Sequence, residues 1–203
     1  MKKCVVLVLL LLGCSGCNGE AGYSPKNGDI IFQTSQSTQS IAVQKATKSR
    51  YSHMGIVYVE NGQGMVFEAV EPVKSTPLKE WTARGENGHY VVKRLARADE
   101  LLTLPILKSM RKVGEKYVGK PYDIYFQWSN DRIYCSELVW KVFQEAVGVE
   151  IGEMQTLGEL DLSDPVVKKL MFDRFGGPAP AGEPVISPVA MFDSDLLVFV
   201  YEN

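Results

Sequence analysis

Residues 131–148 read DRIYCSELVWKVFQEAVG, and their pattern is the strongest structural signal in the chain. The apolar residues recur at the spacing of a single helical face, and Gly148 supplies the left-handed residue at which many helices end. The apolar positions are Leu138, Val139, Val142, Phe143, Ala146 and Val147. We therefore predict an amphipathic helix that begins at or just after Cys135.

Cys135 is the only cysteine outside the first seventeen residues. At the start of a helix, unpaired backbone N–H groups and the positive end of the helix dipole favour a thiolate over a thiol. A lowered pKa makes a cysteine nucleophilic at neutral pH. The alternative is an inert cysteine that packs as a small hydrophobic residue, and position alone does not decide between the two.

A second pattern surrounds His53, one of two histidines in the chain. The stretches HMGIVYVE, residues 53–60, and GMVFEAV, residues 64–70, are typical of strands, and Asn61-Gly62 lies between them. Asn-Gly favours a two-residue type I′ turn, so we predict a β-hairpin.

The turn length decides where Glu68 lies. A two-residue turn pairs Glu60 with Gln63 and places Glu68 diagonally across from His53 on the same face, with backbones roughly 7–8 Å apart. A three-residue loop would place Glu68 on the opposite face, as a solvated strand residue. With the shorter turn, Cys135, His53 and Glu68 compose a thiol-hydrolase triad.

These segments resemble the YiiX-like family, a circularly permuted, papain-fold branch of the NlpC-type superfamily. In unpermuted members the cysteine helix comes first; here the strands that carry GDIIF and HMGIV precede it. The resemblance covers about residues 28–188. Its motifs are GDIIF (28–32), HMGIV (53–57), FEAV (67–70), GKPYD (119–123) and DRIYCSELVWKVF (131–143).

The resemblance implies an α+β, permuted papain-like fold in which an antiparallel sheet packs against helices. It also implies Cys135 as nucleophile, His53 as general base and Glu68 as the residue that orients the imidazole. Backbone N–H groups at the helix start are candidate oxyanion donors, and Tyr122 and Tyr134 are candidate phenolic donors. Packing is an equally ordinary role for either tyrosine.

The implied activity is that of a cysteine hydrolase or acyltransferase that forms a thioacyl-enzyme. Its expected substrate is an amide or ester of a lipid-like or amino-acid-containing compound. One alternative is a murein peptide amidase or endopeptidase, the commonest activity of the unpermuted superfamily. The other alternative is a lipid-binding module that retains the fold without turnover.

The amino terminus predicts export. A short basic region, an aliphatic run and small residues form a signal peptide too short to span a membrane. Leu11-Leu12-Gly13-Cys14 resembles a bacterial lipoprotein cleavage box with Cys14 as the lipidated residue; Cys17 is a second frame, and a plain signal peptide with a soluble periplasmic product is the alternative. We predict a signal peptide at 1–13, a tether at 14–27 and the domain at 28–203, on the periplasmic side of a bacterial membrane.

Composition excludes several other classes. The chain has 22 basic and 24 acidic residues, and without Lys2 and Lys3 the balance is 20 against 24, a net charge of −4, which gives nucleic acid no basic surface. Phosphate-binding and dinucleotide-binding glycine motifs are absent, as is a paired-cysteine metal site. We expect no metal and no cofactor, and we interpret His89, in the segment 85–89, as an exposed loop histidine.

The remaining pattern predicts the order of the other elements. Strands are expected at 29–32, 90–95 and 196–201, and helices at about 38–48, 105–118 and from Asp164-Pro165 to Gly176-Gly177. The segment 176–188, rich in glycine and proline, is expected to form an irregular wall of the active cleft.

Overall fold

A six-stranded antiparallel sheet lies at the centre of the protein in a computed structural model, which describes residues 22–203. The strand order is β4-β3-β2-β1-β5-β8, and β6 and β7 pair separately. The strands are β1 Asp29–Ser35, β2 His53–Glu60, β3 Gln63–Glu68, β4 Lys74–Pro77, β5 Gly85–Leu95, β6 Gln155–Thr156, β7 Pro184–Val185 and β8 Leu197–Glu202.

Helices cover both faces of this sheet and one end of it. They are α1 Thr38–Thr47, α2 Leu78–Ala83, α3 Ala98–Leu101, α4 Leu104–Glu115, α5 Cys135–Val147, α6 Pro165–Phe175 and α7 Pro188–Phe192, with a 3-10 turn at Leu157–Glu159. Among residues 22–203, no helix has the length and apolar character needed to cross a membrane. The antiparallel sheet and the helices that pack on it confirm the predicted α+β class.

Helix α5 follows the prediction closely. It begins at Cys135, and Gly148 ends it with a φ of 74°. Leu138, Val142 and Phe143 are fully buried in the main core, between the sheet and the helices α4 and α5. Full burial of an aliphatic or phenylalanine side chain stabilises the fold by about 1.5–3 kcal/mol, so this face fixes α5 to the sheet.

The β2–β3 hairpin has the predicted two-residue turn. Glu60 pairs with Gln63, and the register continues to the pair Ile56 and Phe67. Asn61 and Gly62 have φ values of 49° and 79°, as a type I′ turn requires. The face that Glu68 occupies is thus the face of His53, and the three-residue alternative is excluded.

The opposite face of the sheet carries a smaller apolar cluster. Trp81 of α2 is fully buried there against Val57 and Val66. His53 lies on this face too, because its imidazole stacks on the Trp81 ring. The histidine therefore lies at the end of β2 under a helix that the sequence pattern did not predict.

Strand β5 corrects the interpretation of His89. The segment 85–89 is part of β5 rather than a loop, and the side chain of His89 is only 16% exposed. Asn87 and Gly88 take positive φ values inside the strand, and the Asn203 side chain donates a hydrogen bond to the Gly88 carbonyl. These residues thus form a bulge in β5, which the hydrogen bond from Asn203 stabilises. His89 contacts Glu202 at 2.8 Å.

The beginning of the described chain packs on the sheet. The hydroxyl of Tyr23 donates to Asp29 Oδ2 at 2.6 Å, and its ring stacks on Tyr201. Asp29 is fully buried and also pairs with Arg94, so the Gly-Asp motif has a structural role. The end of the predicted tether, residues 22–27, thus includes a fixed contact. The predicted signal peptide, Cys14 and Cys17 lie outside the described residues.

Candidate active site

The thiol of Cys135 lies where α5 meets the end of β2. Cys135 is the first residue of α5 and is 3% exposed. Its sulfur lies against the His53 side chain, the Met54 backbone and the Tyr122 side chain, which lower the pKa of the thiol. The structure therefore brings the predicted nucleophile and the predicted base into direct contact.

The imidazole of His53 is held from two further directions. Its Nε2 lies 2.6 Å from Glu68 Oε2, which leaves Nδ1 as the ring nitrogen available to the Cys135 thiol. The Trp81 ring lies parallel to it, with centroids 5.8 Å apart. Contact with the carboxylate and the indole together fixes the plane of the ring and keeps water away from the His53–Glu68 hydrogen bond.

Glu68 is fully buried and has three polar partners. Thr76 Oγ1 donates to Glu68 Oε1 at 2.6 Å, and the Arg84 guanidinium pairs with the same oxygen. A buried carboxylate costs several kcal/mol unless it is paired and hydrogen-bonded. These contacts keep Glu68 ionised beside the imidazole.

The three groups shift one another's pKa. Burial lowers the pKa of His53, but its hydrogen bonds to Cys135 and Glu68 and their charges outweigh burial and raise it to about 9. Burial raises the pKa of Glu68, but His53, Thr76 and Arg84 outweigh it and lower the value to about 2.

The pKa of the Cys135 thiol also depends on burial and on the neighbouring groups, which act in opposite directions. Burial disfavours its thiolate, but the hydrogen bond and charge of His53, with the Met54 N–H and Tyr122, lower the thiol pKa overall. Opposite charges at short range favour both charged forms. These contacts therefore favour a thiolate–imidazolium pair over the neutral thiol and imidazole.

The two candidate tyrosines have different roles in the structure. The hydroxyl of Tyr122 bonds to the Cys135 sulfur, and burial followed by the thiolate charge raises the pKa of Tyr122. The hydroxyl of Tyr134 accepts a hydrogen bond from the Ile186 N–H at 3.1 Å. Tyr122 is thus the phenol at the reacting sulfur, whereas Tyr134 fixes the segment that contains Ile186.

Asp123 explains why the GKPYD motif precedes the cysteine helix. Its buried carboxylate accepts hydrogen bonds from the N–H groups of Tyr125 and Gln127, at 2.8 and 2.7 Å. A bridge between Tyr122 and Ile133 joins both ends of this loop. The loop is therefore closed on itself, and it holds Tyr122 beside Cys135.

A buried ion pair anchors the same loop to α5. Lys141 Nζ lies 2.7 Å from Glu137 Oε1 and 2.9 Å from Asn130 Oδ1. Glu137 also accepts from the Ser129 N–H at 3.2 Å. Burial, opposed by Lys141, raises the pKa of Glu137 to about 7.

An apolar pocket opens on one side of the thiol. Its wall includes α1, α6 and the 184–188 segment, and its lining contains no charged side chain among the described residues. Representative lining residues are Ala42, Ala46, Leu160, Leu162, Met171 and Ile186. The expectation that residues 176–188 contribute a wall is confirmed at residues 185–188.

A second pocket adjoins the apolar one, and we call it the polar pocket because most of its lining residues have polar side chains. It shares Ser52 and Tyr122 with the apolar pocket and also contains His53. Its other polar lining residues are Gln33, Ser35, Ser37, Gln39, Ser40, Glu71 and Arg84. Gln33 is buried, and its Oε1 has no hydrogen-bond partner within residues 22–203.

The site is completed by Thr76, Trp81 and Arg84. None of the three was predicted from the sequence. Thr76 lies on β4 and Trp81 on α2, two short elements of four and six residues without a clear periodic pattern. Arg84 directly follows α2. A buried carboxylate at the end of β3 requires hydrogen-bond donors. This requirement is the one indication in the sequence that such residues exist.

The family described as permuted papain-like amidase enzyme, YaeF/YiiX, C92 family, matches residues 24–201. The chain belongs to this family. Membership confirms the permuted papain-like fold and makes the protein a thiol hydrolase of the amidase class. The uncharacterized protein YiiX of Escherichia coli (strain K12) is 48% identical over 200 residues, which are 98% of this chain and 96% of that protein.

A solved structure has the same fold. The crystal structure of metalloprotein yiiX from Escherichia coli O157:H7 gives a TM-score of 0.84 at 48% identity, and the match covers 89% of this chain and 99% of that one. In the part of this chain that the structure describes, no group of three or more His, Cys, Asp or Glu side chains is arranged to hold a metal ion.

Proposed function

We propose that Cys135, His53 and Glu68 form the catalytic triad of an amidase or esterase that acts on lipid-like acyl compounds. One observation carries this proposal: Cys135 lines the apolar pocket, and His53, which lowers the pKa of its thiol, lines an adjoining pocket of mainly polar residues. The apolar side accepts the acyl group, and the polar side accepts the amine or alcohol that leaves.

The first half-reaction acylates the enzyme. The Cys135 thiolate attacks the carbonyl carbon, and the carbonyl oxygen takes the negative charge of the tetrahedral intermediate. Backbone N–H groups at the start of α5 and the Tyr122 hydroxyl are the donors nearest to this oxygen. His53 gives its proton to the leaving nitrogen or oxygen, the scissile bond breaks, and a thioester remains on Cys135.

The second half-reaction releases the acyl group. His53, now neutral, takes a proton from water, and the resulting hydroxide attacks the thioester carbon. Collapse of the intermediate expels the Cys135 thiolate and yields a carboxylic acid. An alcohol or amine in place of water would make the same site an acyltransferase, because the thioester does not distinguish between nucleophiles.

The pockets support the substrate class. Burial of hydrocarbon contributes about 25 cal/mol per Å² of apolar surface, which favours an acyl chain between α1 and α6. On the polar side, Arg84 suits a carboxylate, and the unpartnered Gln33 Oε1 suits an N–H donor, so an amino-acid-containing leaving group is compatible. A charged murein peptide finds no charged partner on the apolar side, which makes the murein alternative the weaker candidate.

A lipid anchor would place this site beside its substrate. We propose that Cys14 is acylated and holds the domain at the periplasmic side of a membrane. Each buried acyl methylene contributes about 0.8 kcal/mol, so detergent should release the protein and salt should not. A mature amino terminus near Asn18, found by intact-mass measurement, or a soluble periplasmic pool would contradict the anchor.

The triad and the substrate class are tested together by trapping the acyl-enzyme. The protein is mixed with a long-chain acyl ester, quenched in acid and measured by intact mass, and peptides are then sequenced. We expect one acyl group on Cys135 in the wild type, accumulation in the deacylation-slowed Glu68→Gln variant, and none in Cys135→Ala. An acyl group elsewhere, or product formation by Cys135→Ala, would overturn the proposal.

A further inference from the structure

An exposed phenylalanine lies on α6, away from the sheet. Phe172 is 63% exposed, although phenylalanine is usually buried. Lys168 and Lys169 precede it by four and three residues, so both lysines lie beside the ring on the helix surface. Val166, on the first turn of the same helix, is 39% exposed.

A surface groove beside Phe172 leads toward the active site. Its lining contains Phe172, Leu162 and Met171, and the last two also line the apolar pocket at Cys135. Met171 thus lies between the surface of α6 and the pocket. The groove and the apolar pocket are therefore separated only by apolar side chains.

Two lysines, Lys168 and Lys169, and one acidic residue, Asp173, line this groove. Helix α6 carries three basic residues and one acidic residue, whereas the whole chain has a net charge of −2. Lys169 pairs with Asp173 at 2.8 Å, but Lys168 makes no ion pair within residues 22–203. Helix α1, which packs on α6 through Ala42 and Ala46, adds one lysine and no acid.

We propose that α6 docks on an anionic lipid surface. Phe172 enters the acyl-chain region, while Lys168 and Lys169 extend their amines to the headgroups. Basic residues near an anionic leaflet are attracted to it, and the attraction falls off within a Debye length. The groove then offers a lipid acyl chain a route to Cys135 without passage through water. This last step rests on the proposed acyl substrate; the docking itself does not.

Tryptophan emission in the full chain tests the docking. Phe172→Trp is compared with Phe199→Trp, a matched control on β8 whose native ring is 60% exposed, after subtraction of the wild-type spectrum. Vesicles contain equal parts of phosphatidylglycerol and phosphatidylcholine, or phosphatidylcholine alone. We expect a blue shift at position 172 with the anionic vesicles, a smaller one with the neutral vesicles, and none at position 199.

Several outcomes would overturn the proposal. Unshifted emission at position 172 would mean that α6 stays in water, and equal shifts at both positions would mean that the chain has no preferred face. A shift that depends on protein concentration in the absence of vesicles would show that a second copy covers α6 instead.

A separate measurement distinguishes this inference from the proposed activity. Phe172→Glu should lose activity on a vesicle-held long-chain ester roughly tenfold more than on a soluble short-chain ester, as expected for loss of about 1.4 kcal/mol of surface binding. Phe199→Glu should lower both rates equally or not at all. If the wild type turns over neither ester, the hydrolase proposal fails, and the emission shift still decides the docking.

Discussion

The two adjoining pockets at Cys135 and His53 differ in chemistry. The apolar pocket contains no charged side chain among the described residues, whereas the polar pocket contains His53, Glu71 and Arg84. They share Ser52 and Tyr122, and Cys135 lines the apolar pocket whereas His53 lines the polar one. In the proposed reaction this difference lets one cysteine tell the two halves of a substrate apart, because hydrocarbon would bind on one side and the polar leaving group near the proton donor.

Burial has opposite consequences for the two sides. On the apolar side it provides binding energy, because hydrocarbon leaves water. On the polar side it is opposed by hydrogen bonds and charges, which together leave the pKa of His53 at about 9 and that of Glu68 at about 2. Substitutions can therefore affect the chemistry and the chain-length preference separately.

The largest effect is expected from His53→Ala, which removes the base and leaves both pockets. General acid–base catalysis contributes about 10²–10⁴-fold, and the variant should lose at least that for every substrate. His89→Ala is the matched control, since it removes the chain's other histidine, which contacts Glu202 away from the thiol. Steady-state rates check both. Equal losses of activity in the two variants would indicate that the substitutions disturb folding and not catalysis.

Glu68→Gln should have the next largest effect, and it should change the pH profile. The thiolate–imidazolium pair exists from the lowered pKa of Cys135 up to the His53 pKa of about 9. Loss of the carboxylate lowers the histidine pKa, so the alkaline limb should move to lower pH while the plateau falls roughly tenfold or more.

The profile of kcat against pH checks this variant. Glu145→Gln is its control, because Glu145 lies on the surface of α5 and pairs with Lys116. A wild-type plateau with an unchanged alkaline limb in Glu68→Gln would show that another group orients His53.

Ala46→Leu should change chain-length preference without changing the chemistry. Ala46 lines the apolar pocket, so three additional carbons there take the place of part of an acyl chain. One methylene in a hydrophobic pocket is worth about 1–3 kcal/mol, so kcat/KM should fall at least tenfold for long chains and little for acetyl or butyryl substrates. Ala83→Leu, at an exposed position of α2, is the control. An equal loss for all chain lengths would contradict the assignment of this pocket.

Arg84→Gln is expected to have the smallest effect. Arg84 pairs with Glu68, but its side chain is 43% exposed, and exposed ion pairs contribute about 0–1 kcal/mol. We expect kcat to fall roughly two- to fivefold, with a larger rise in KM for leaving groups that carry a carboxylate. Arg97→Gln, which removes a surface pair with Glu100, serves as control. If KM is the same for acidic and neutral leaving groups, Arg84 does not contact the substrate.

The parts of the fold that depend on clear local patterns in the sequence were predictable. The apolar face of α5, the type I′ turn at Asn61-Gly62 and the diagonal placement of Glu68 all follow from local rules, and the structure confirms them. These features place the thiol, the imidazole and the carboxylate. The sequence thus predicted which three side chains meet.

The surroundings of those side chains were not predictable in the same way. Thr76 reaches Glu68 only because β4 pairs with β3, and Trp81 reaches His53 only because α2 folds over the sheet. Both elements are short, so tertiary contacts rather than a period determine them. The β5 bulge at Asn87-Gly88 was misread for a related reason: β8 and Asn203 keep the turn within the sheet.

The pH dependence of Cys135 alkylation tests the central claim most directly. Iodoacetamide reacts with the thiolate, and Cys135 is the only cysteine that the structure describes, so the modified peptide identifies the site. We predict that the folded protein is alkylated with a midpoint pH well below the ordinary cysteine pKa of about 8.5. The midpoint should move upward in His53→Ala. A midpoint near 8.5 in the wild type, or no alkylation without denaturant, would contradict a thiolate–imidazolium pair of Cys135 and His53.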